Sequence, residues 1–181
     1  MNILRVYIFF FKLIYIIILV ILLLFYMIKL KTPNYEVSFK RKITYIIIHY
    51  TDMKTLQSAI KRLQSKVAKV SCHYVISKRG TIYQMVNDKD IAWHAGVSKW
   101  GNDINLNDKS IGIELDNNGI EDFPAKQIKS LIKLLKKLKK KYKISKNRVL
   151  GHSHIAPERK FDPGPKFPWK ILFRESLSNL Y

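Results

Sequence analysis

Ile43-Thr44-Tyr45-Ile46-Ile47-Ile48-His49 decides the fold class. A run this rich in β-branched and aromatic side chains, without polar alternation, reads as a strand buried on both faces, the pattern of a central strand in an α/β sheet. It ends in an imidazole, at the carboxyl edge where such sheets place their ligands. Thr51 or Asp52 then offers a cap for a helix whose apolar positions Leu56, Ile60, Leu63 and Val67 keep helical spacing. Residues 72–77 and 81–86 read as two strands joined by Lys78-Arg79-Gly80, a hairpin in which glycine supplies the positive φ. Ser110-Ile111-Gly112-Ile113-Glu114-Leu115 is a further buried strand. Residues 125–142 place Ile128, Leu131, Ile132, Leu135, Leu138 and Tyr142 on one helical face and lysines on the other, as a core-packing helix does. Arg148-Val149-Leu150 supplies another strand. Strands interleaved with two long helices give an α/β class, a single domain with a central mixed β-sheet flanked by helices.

Upstream the chain changes character. Residues 6–28 form a run of 23 that is apolar or Tyr except for Lys12, enough to cross roughly 30 Å of hydrocarbon. No helical spacing leaves it a polar face. The run exceeds a signal-peptide core, and Tyr26-Met27-Ile28-Lys29 is too bulky for a cleavage site. The expectation is a domain preceded by an N-terminal transmembrane helix: a signal-anchor at 6–28, a linker at 29–42, and the α/β domain at 43–175. Lys29, Lys31, Lys40, Arg41 and Lys42 follow the span and favour a cytoplasmic domain by the positive-inside rule. A permanent anchor favours the outer face, and that placement is the one expected.

Residues 1–31 hold Arg5, Lys12, Lys29 and Lys31 and no acid, so +16 of the net charge of +20 belongs to the rest of the chain. Such a balance attracts anionic partners. There is no nucleic-acid motif and no aromatic-basic interleaving, so no nucleic-acid partner is expected. Cys72 is the single cysteine, which excludes a disulfide framework and a cysteine-based zinc cluster.

The chemistry concentrates in Gly151-His152-Ser153-His154-Ile155-Ala156-Pro157-Glu158-Arg159-Lys160-Phe161-Asp162-Pro163-Gly164-Pro165. Three prolines stiffen a loop that carries two imidazoles, a lysine and a carboxylate. His49 and His152 each end a strand, and Asp162 lies across the loop. Two histidines and a carboxylate leave a fourth tetrahedral position open, the usual make-up of a catalytic zinc site. The residues alone also allow His152 and His154 as a chelating pair, since alternate strand residues share a face. Glu114, inside an apolar strand, must be paired or functional and is the candidate general base. Lys160 is placed to stabilise an oxyanion.

Five segments occur in order: His49-Tyr50-Thr51, Ser71-Cys72-His73-Tyr74-Val75-Ile76, Ala92-Trp93-His94-Ala95-Gly96, Ser110-Ile111-Gly112-Ile113-Glu114, and the loop at 151–165. Together they resemble the type 2 N-acetylmuramoyl-L-alanine amidases, relatives of the peptidoglycan recognition proteins, over about residues 43–170. The resemblance implies that fold, one Zn2+ ion, and hydrolysis of the amide between N-acetylmuramic acid and L-alanine in peptidoglycan or muropeptides. It implies His49, His152 and Asp162 as zinc ligands, Glu114 as base and Lys160 as stabiliser of the tetrahedral intermediate. It also implies Trp93 and His94 as groove walls and Arg159 as partner of a stem-peptide carboxylate. Position 154 departs from the family, which usually carries an acid there. His73 is expected to be structural and Cys72 to be no ligand.

The expected setting is a single-pass protein of the bacterial cell membrane, monomeric, with a peptidoglycan or muropeptide substrate. The alternatives are a non-catalytic peptidoglycan-binding module, which typically loses zinc ligands, and a basic anionic-polymer or lipid-binding membrane protein.

Overall fold

The computed structural model describes residues 7, 9–15 and 27–181. Its centre is a six-stranded mixed sheet in the order β1-β5-β4-β9-β3-β10. The strands are β1 (Ile28–Lys29), β3 (Tyr45–Tyr50), β4 (Tyr74–Ile76), β5 (Ile82–Gln84), β9 (Ser110–Leu115) and β10 (Val149–Gly151). β4, β9, β3 and β10 run parallel, and β5 is antiparallel to β4. β2 (Tyr35–Glu36) pairs with β6 (Ile91–Ala92), and β7 (Lys99–Trp100) with β8 (Asp103–Ile104). The helices are α1 (Leu56–Gln64), α2 (Ala125–Tyr142), the single turn α3 (His152–Ile155) and α4 (Trp169–Arg174).

Strand periodicity of two divides the interior. Ile46 and Ile48 of β3 with Ile111, Ile113 and Leu115 of β9 face α2, where Ile128, Leu131, Leu135 and Leu138 close the larger core. Tyr45, Ile47 and Leu150 face the other way, onto Ala95, Leu106 and Ile155. Each buried aliphatic side chain of this kind contributes about 1.5–3 kcal/mol, which makes the α2 face the main source of stability. Gln127 is the polar exception on α2. Its amide donates to the carbonyls of Ile76 and Asp116 and ties the helix to the sheet edge.

β3, β4, β5, β9, β10 and α2 lie where their patterns place them, and Gly80 takes φ +86 in the expected hairpin turn. α1 starts later than expected. Thr55, not Thr51 or Asp52, is its cap, in a capping box with Ser58. The helical stripe also stops early: Val67 lies in a short 3-10 turn and is 91% exposed.

The N-terminal expectations change more. Among the described residues no helix is long and apolar enough to cross a membrane. That finding overturns the single-pass membrane placement and the membrane partnership expected through residues 6–28. Residues 9–15 are helical and exposed, whereas 1–6, 8 and 16–26 of that region lie outside the described residues. Ile28, expected at the end of the span, is instead a strand residue paired with Tyr83 at the sheet edge.

Residues 29–42, expected as a linker, are folded onto the domain. Asn34 is buried, and its amide donates to the carbonyls of Leu63, Ser65 and Val70. Arg41 reaches inward to the carbonyls of Asp90 and Ser110. The segment carries no periodicity because its bonds run from single polar side chains to distant backbone, not along a repeating face.

Candidate active site

Parallel pairing of β3 with β9 sets Tyr45 beside Ser110, Ile47 beside Gly112 and His49 beside Glu114. Partners in register share a face, so His49 and Glu114 both leave the sheet on the side away from α2. β10 ends one strand over and turns at once into α3, whose first residue is His152. The chain then loops back. Ser153 N–H donates to Asp162 O at 2.9 Å, and the amides of Arg159 and Lys160 both donate to Ala156 O. This folding returns Asp162 to the side of His152.

Three atoms meet there. His49 Nδ1 lies 2.8 Å from Asp162 Oδ2 and 3.0 Å from His152 Nδ1, and His152 Nδ1 lies 3.1 Å from Asp162 Oδ2. All three residues are buried, and their donor atoms fall within 4.8 Å of one another. His152 Nε2 is 3.0 Å from Ala95 O. A carbonyl only accepts, so that nitrogen carries the ring proton and Nδ1 presents a lone pair. Lone pairs of a nitrogen and a carboxylate at this separation repel unless a cation lies between them, and the N/O donor set suits zinc. Burial, reinforced by His152, lowers His49 to about 4 and keeps it neutral at pH 7. Burial alone raises Asp162, but its contacts with the His152 and His49 rings bring it well below the ordinary carboxylate range.

Glu114 stands next to this triad with its Oε2 buried and without a hydrogen-bond partner. Burial, then the charge of Asp162, raises its carboxyl well above the ordinary value, against the opposing pull of Lys160. These residues line one cleft of about 530 Å³ together with Tyr50, Trp93, Arg159 and Phe161. All eight residues singled out from the sequence border it.

Two of them, His94 and Arg159, are engaged otherwise than expected. His94 is only 9% exposed, so it offers little wall. Its ring contacts His49 Nε2 at 3.1 Å and Ser110 Oγ at 3.2 Å. Arg159, expected to meet a substrate carboxylate, spends its Nε and Nη2 on the carbonyls of Val97 and Ala95. Trp93 is partly exposed on the cleft, its indole N–H donating to Glu36 at 2.9 Å. His154 is not part of the triad. Its Nδ1 accepts from Gly151 N–H, and its ring lies tilted by 42° against Tyr181 with centroids 4.3 Å apart. His73 is a buried structural residue that accepts from Gly112 N–H, and Cys72 is buried and free.

Sequence reading missed Asn107, whose Oδ1 accepts from the amides of both His94 and Ala95. It also missed Ser110 as the far partner of His94. The available signal was Gly112. A glycine inside a central strand marks the close approach of another group, and a Cβ there would lie 2.4 Å from the His94 ring.

A family model described as N-acetylmuramoyl-L-alanine amidase matches residues 39–165. The chain is 38% identical over 152 residues to the N-acetylmuramoyl-L-alanine amidase AmiD of Escherichia coli, covering 75% of this chain and 54% of that protein. It is 45% identical over 103 residues to the 1,6-anhydro-N-acetylmuramyl-L-alanine amidase AmpD of Haemophilus influenzae, covering 56% of each. It thus spans about half the length of these curated relatives. The solved complex of E. coli AmiD with anhydro-N-acetylmuramic acid-L-Ala-D-gamma-Glu-L-Lys superposes with a TM-score of 0.72 at 37% identity, over 76% of this chain and 59% of that one. The matched residues include all three members of the triad, and the chain belongs to the N-acetylmuramoyl-L-alanine amidase family.

Proposed function

We propose that this chain is a zinc-dependent amidase that hydrolyses the bond between the lactyl group of N-acetylmuramic acid and L-alanine in peptidoglycan or a muropeptide. The observation that carries the reading is the meeting of His49 Nδ1, His152 Nδ1 and Asp162 Oδ2 beside the unpartnered oxygen of Glu114. His49, His152 and Asp162 would hold one Zn2+ ion. When bound, the ion supplies Lewis acidity, polarising a carbonyl oxygen and acidifying water.

The chain's own groups supply the rest. Glu114 takes a proton from the attacking water and returns it to the departing nitrogen of L-alanine, so that the C–N bond breaks to a lactyl carboxylate and a free amine. Its lack of a competing hydrogen bond leaves Oε2 available for both transfers. The Lys160 ammonium, on the same cleft, stabilises the negative oxygen of the tetrahedral intermediate. Trp93, held by Glu36, forms a wall for the saccharide or the stem peptide. AmiD, solved with an anhydromuramoyl peptide, supports the same substrate class here.

A non-catalytic binding module would have no need for a complete triad with a desolvated carboxylate beside it, and this chain has both. The test is release of free L-alanine-terminated peptide from a purified anhydromuramoyl peptide. Cleavage that stops with a chelator and returns with zinc supports the reading; a zinc-loaded protein that binds the muropeptide without cleaving it rejects it.

A further inference from the structure

The outer nitrogens of both triad imidazoles end on one dipeptide, His94-Ala95. His152 Nε2 lies 3.0 Å from Ala95 O, and His49 Nε2 lies 3.1 Å from His94 Nδ1. The first contact fixes a tautomer directly because a carbonyl has no proton to give. The second fixes one through a longer chain. Ser110 Oγ donates its single proton to Leu106 O. It therefore meets His94 Nε2, 3.2 Å away, as an acceptor, and that nitrogen must carry the His94 proton. His94 Nδ1 is then bare, His49 Nε2 donates to it, and His49 Nδ1 is left with a lone pair facing Asp162 and His152.

We infer that His94-Ala95 is a tautomer clamp: it sets the ring proton of both histidines on Nε2 and so presents both Nδ1 lone pairs to a metal before any metal arrives.

The fold holds the clamp from three sides. Asn107 Oδ1 accepts the amides of His94 and Ala95 at 3.0 and 2.7 Å, which fixes the dipeptide's backbone. Arg159 Nη2 donates to Ala95 O at 2.6 Å, sharing the acceptor that orients His152. The His94 ring lies directly over Gly112, where any Cβ would intrude to 2.4 Å. Ser110 and Gly112 are alternate residues of β9 on the face that bears His49 in the neighbouring strand. One small residue admits the ring, and the other ends its hydrogen-bond chain. His94 and Ala95 are thus positioning residues that act through His49 and His152. Outer partners that fix ligand tautomers typically change metal affinity by roughly 10- to 100-fold.

The inference rests on the metal-binding reading of the triad, and the experiments separate the two. Nitrogen-15 NMR of the histidine rings in zinc-free wild-type protein should show His49 and His152 as Nε2–H tautomers; Nδ1–H for His49 would overturn the clamp whether or not zinc binds. Zinc affinity is then measured by chelator competition on wild type, His94→Phe, His94→Gln and Ser110→Ala. His94→Phe, which cannot accept, should bind zinc roughly 10- to 100-fold more weakly. His94→Gln, whose side-chain oxygen can accept from His49, should recover most of that loss. Ser110→Ala, the mildest change and the one retained if His94→Phe fails to fold, should leave His94 with mixed tautomers and lower affinity several-fold. Folded variants that bind zinc as tightly as wild type would overturn the clamp while leaving the metal site intact. Wild type that binds no zinc would instead reject the metal reading on which the clamp rests.

Discussion

His49 and Glu114 stand opposite one another in the register of two parallel strands, so one member of the donor triad and the unpartnered carboxylate are fixed by the same ladder. Their spacing is a property of the sheet, not of a loop, and a change at Glu114 should leave the triad in place. Glu114→Gln is expected to keep zinc affinity and to lower muramoyl-alanine hydrolysis by about 10²- to 10⁴-fold, the usual weight of a general base. Full retention of turnover would remove Glu114 from the mechanism.

The same substitution carries a stability prediction. In the metal-free protein Glu114 sits well above its ordinary 4.5 because burial disfavours its charge. A raised folded value means that its contribution is complete below 4.5 and is lost as pH rises through the folded value. Glutamine has no charge to desolvate. Metal-free Glu114→Gln should therefore match wild type at pH 4 and melt higher than wild type at pH 8, as read by thermal denaturation at both values.

Asp88 is a second buried carboxylate, and its role is the opposite. The hydroxyls of Tyr74 and Tyr142 and the ammonium of Lys141 all donate to it, joining β4 to the C-terminal end of α2. Burial alone raises its carboxyl, but the bonds from Tyr74, Lys141 and Tyr142 bring it below 3.8. Lys141 is largely exposed and adds little; the two phenols matter more. Asp88→Ala should cost about 2–3 kcal/mol by leaving buried hydroxyls without an acceptor. Because the folded value is depressed, the stabilisation by charged Asp88 is complete above 3.8 and fades as pH falls through the folded value. The gap between wild type and Asp88→Asn should accordingly be widest near neutral pH and close as pH falls through the folded value, by chemical denaturation.

What was legible in the chain follows its physics. The isoleucine run of β3, the Ser110–Leu115 strand and the Ala125–Tyr142 helix state their structure through repeated burial, and His49 and Glu114 stand near the ends of the two strands. Trp93, His94 and Arg159 border the cleft, but a residue's type does not say whether it faces a ligand or a neighbour. That depends on which backbone carbonyl or ring lies within hydrogen-bond reach, and for His94 and Arg159 these include His49 and Ala95, 45 and 64 residues away. Residues 29–42 were opaque for the same reason: Asn34 and Arg41 bond to far-off carbonyls, and two-residue strands have no period to read. The apolar run at 6–28 satisfied a length rule for membrane spans, yet its last residue belongs to the sheet edge.

Arg159 separates two kinds of loss. If it holds the loop at Ala95 and Val97, Arg159→Ala should weaken zinc binding several-fold and reduce stability by about 1 kcal/mol, with KM for the muropeptide nearly unchanged in zinc-saturated protein. If it met a stem-peptide carboxylate, KM would rise sharply while zinc affinity stayed the same. Steady-state kinetics at saturating zinc, beside chelator competition, distinguishes the two. The bonds to both carbonyls favour the first outcome.

Gly112 tests whether sheet and clamp are one device. A Cβ at this position would lie 2.4 Å from Cγ and 2.6 Å from Nδ1 of the His94 ring, inside any permissible contact. Gly112→Ala should therefore cost about 1–3 kcal/mol by overpacking, although alanine is otherwise the better residue within a strand. The displaced ring should also release His49, so zinc affinity should fall together with stability. Removing the ring relieves the overlap: in a His94→Ala background the same Gly112→Ala change should cost little or become favourable, and zinc affinity should fall no further. Such non-additivity is the mark of two residues in direct contact. Additive costs across the four proteins, measured by denaturant titration and zinc competition, would show that the penalty at Gly112 arises elsewhere in β9 and that the small residue is not there to admit His94.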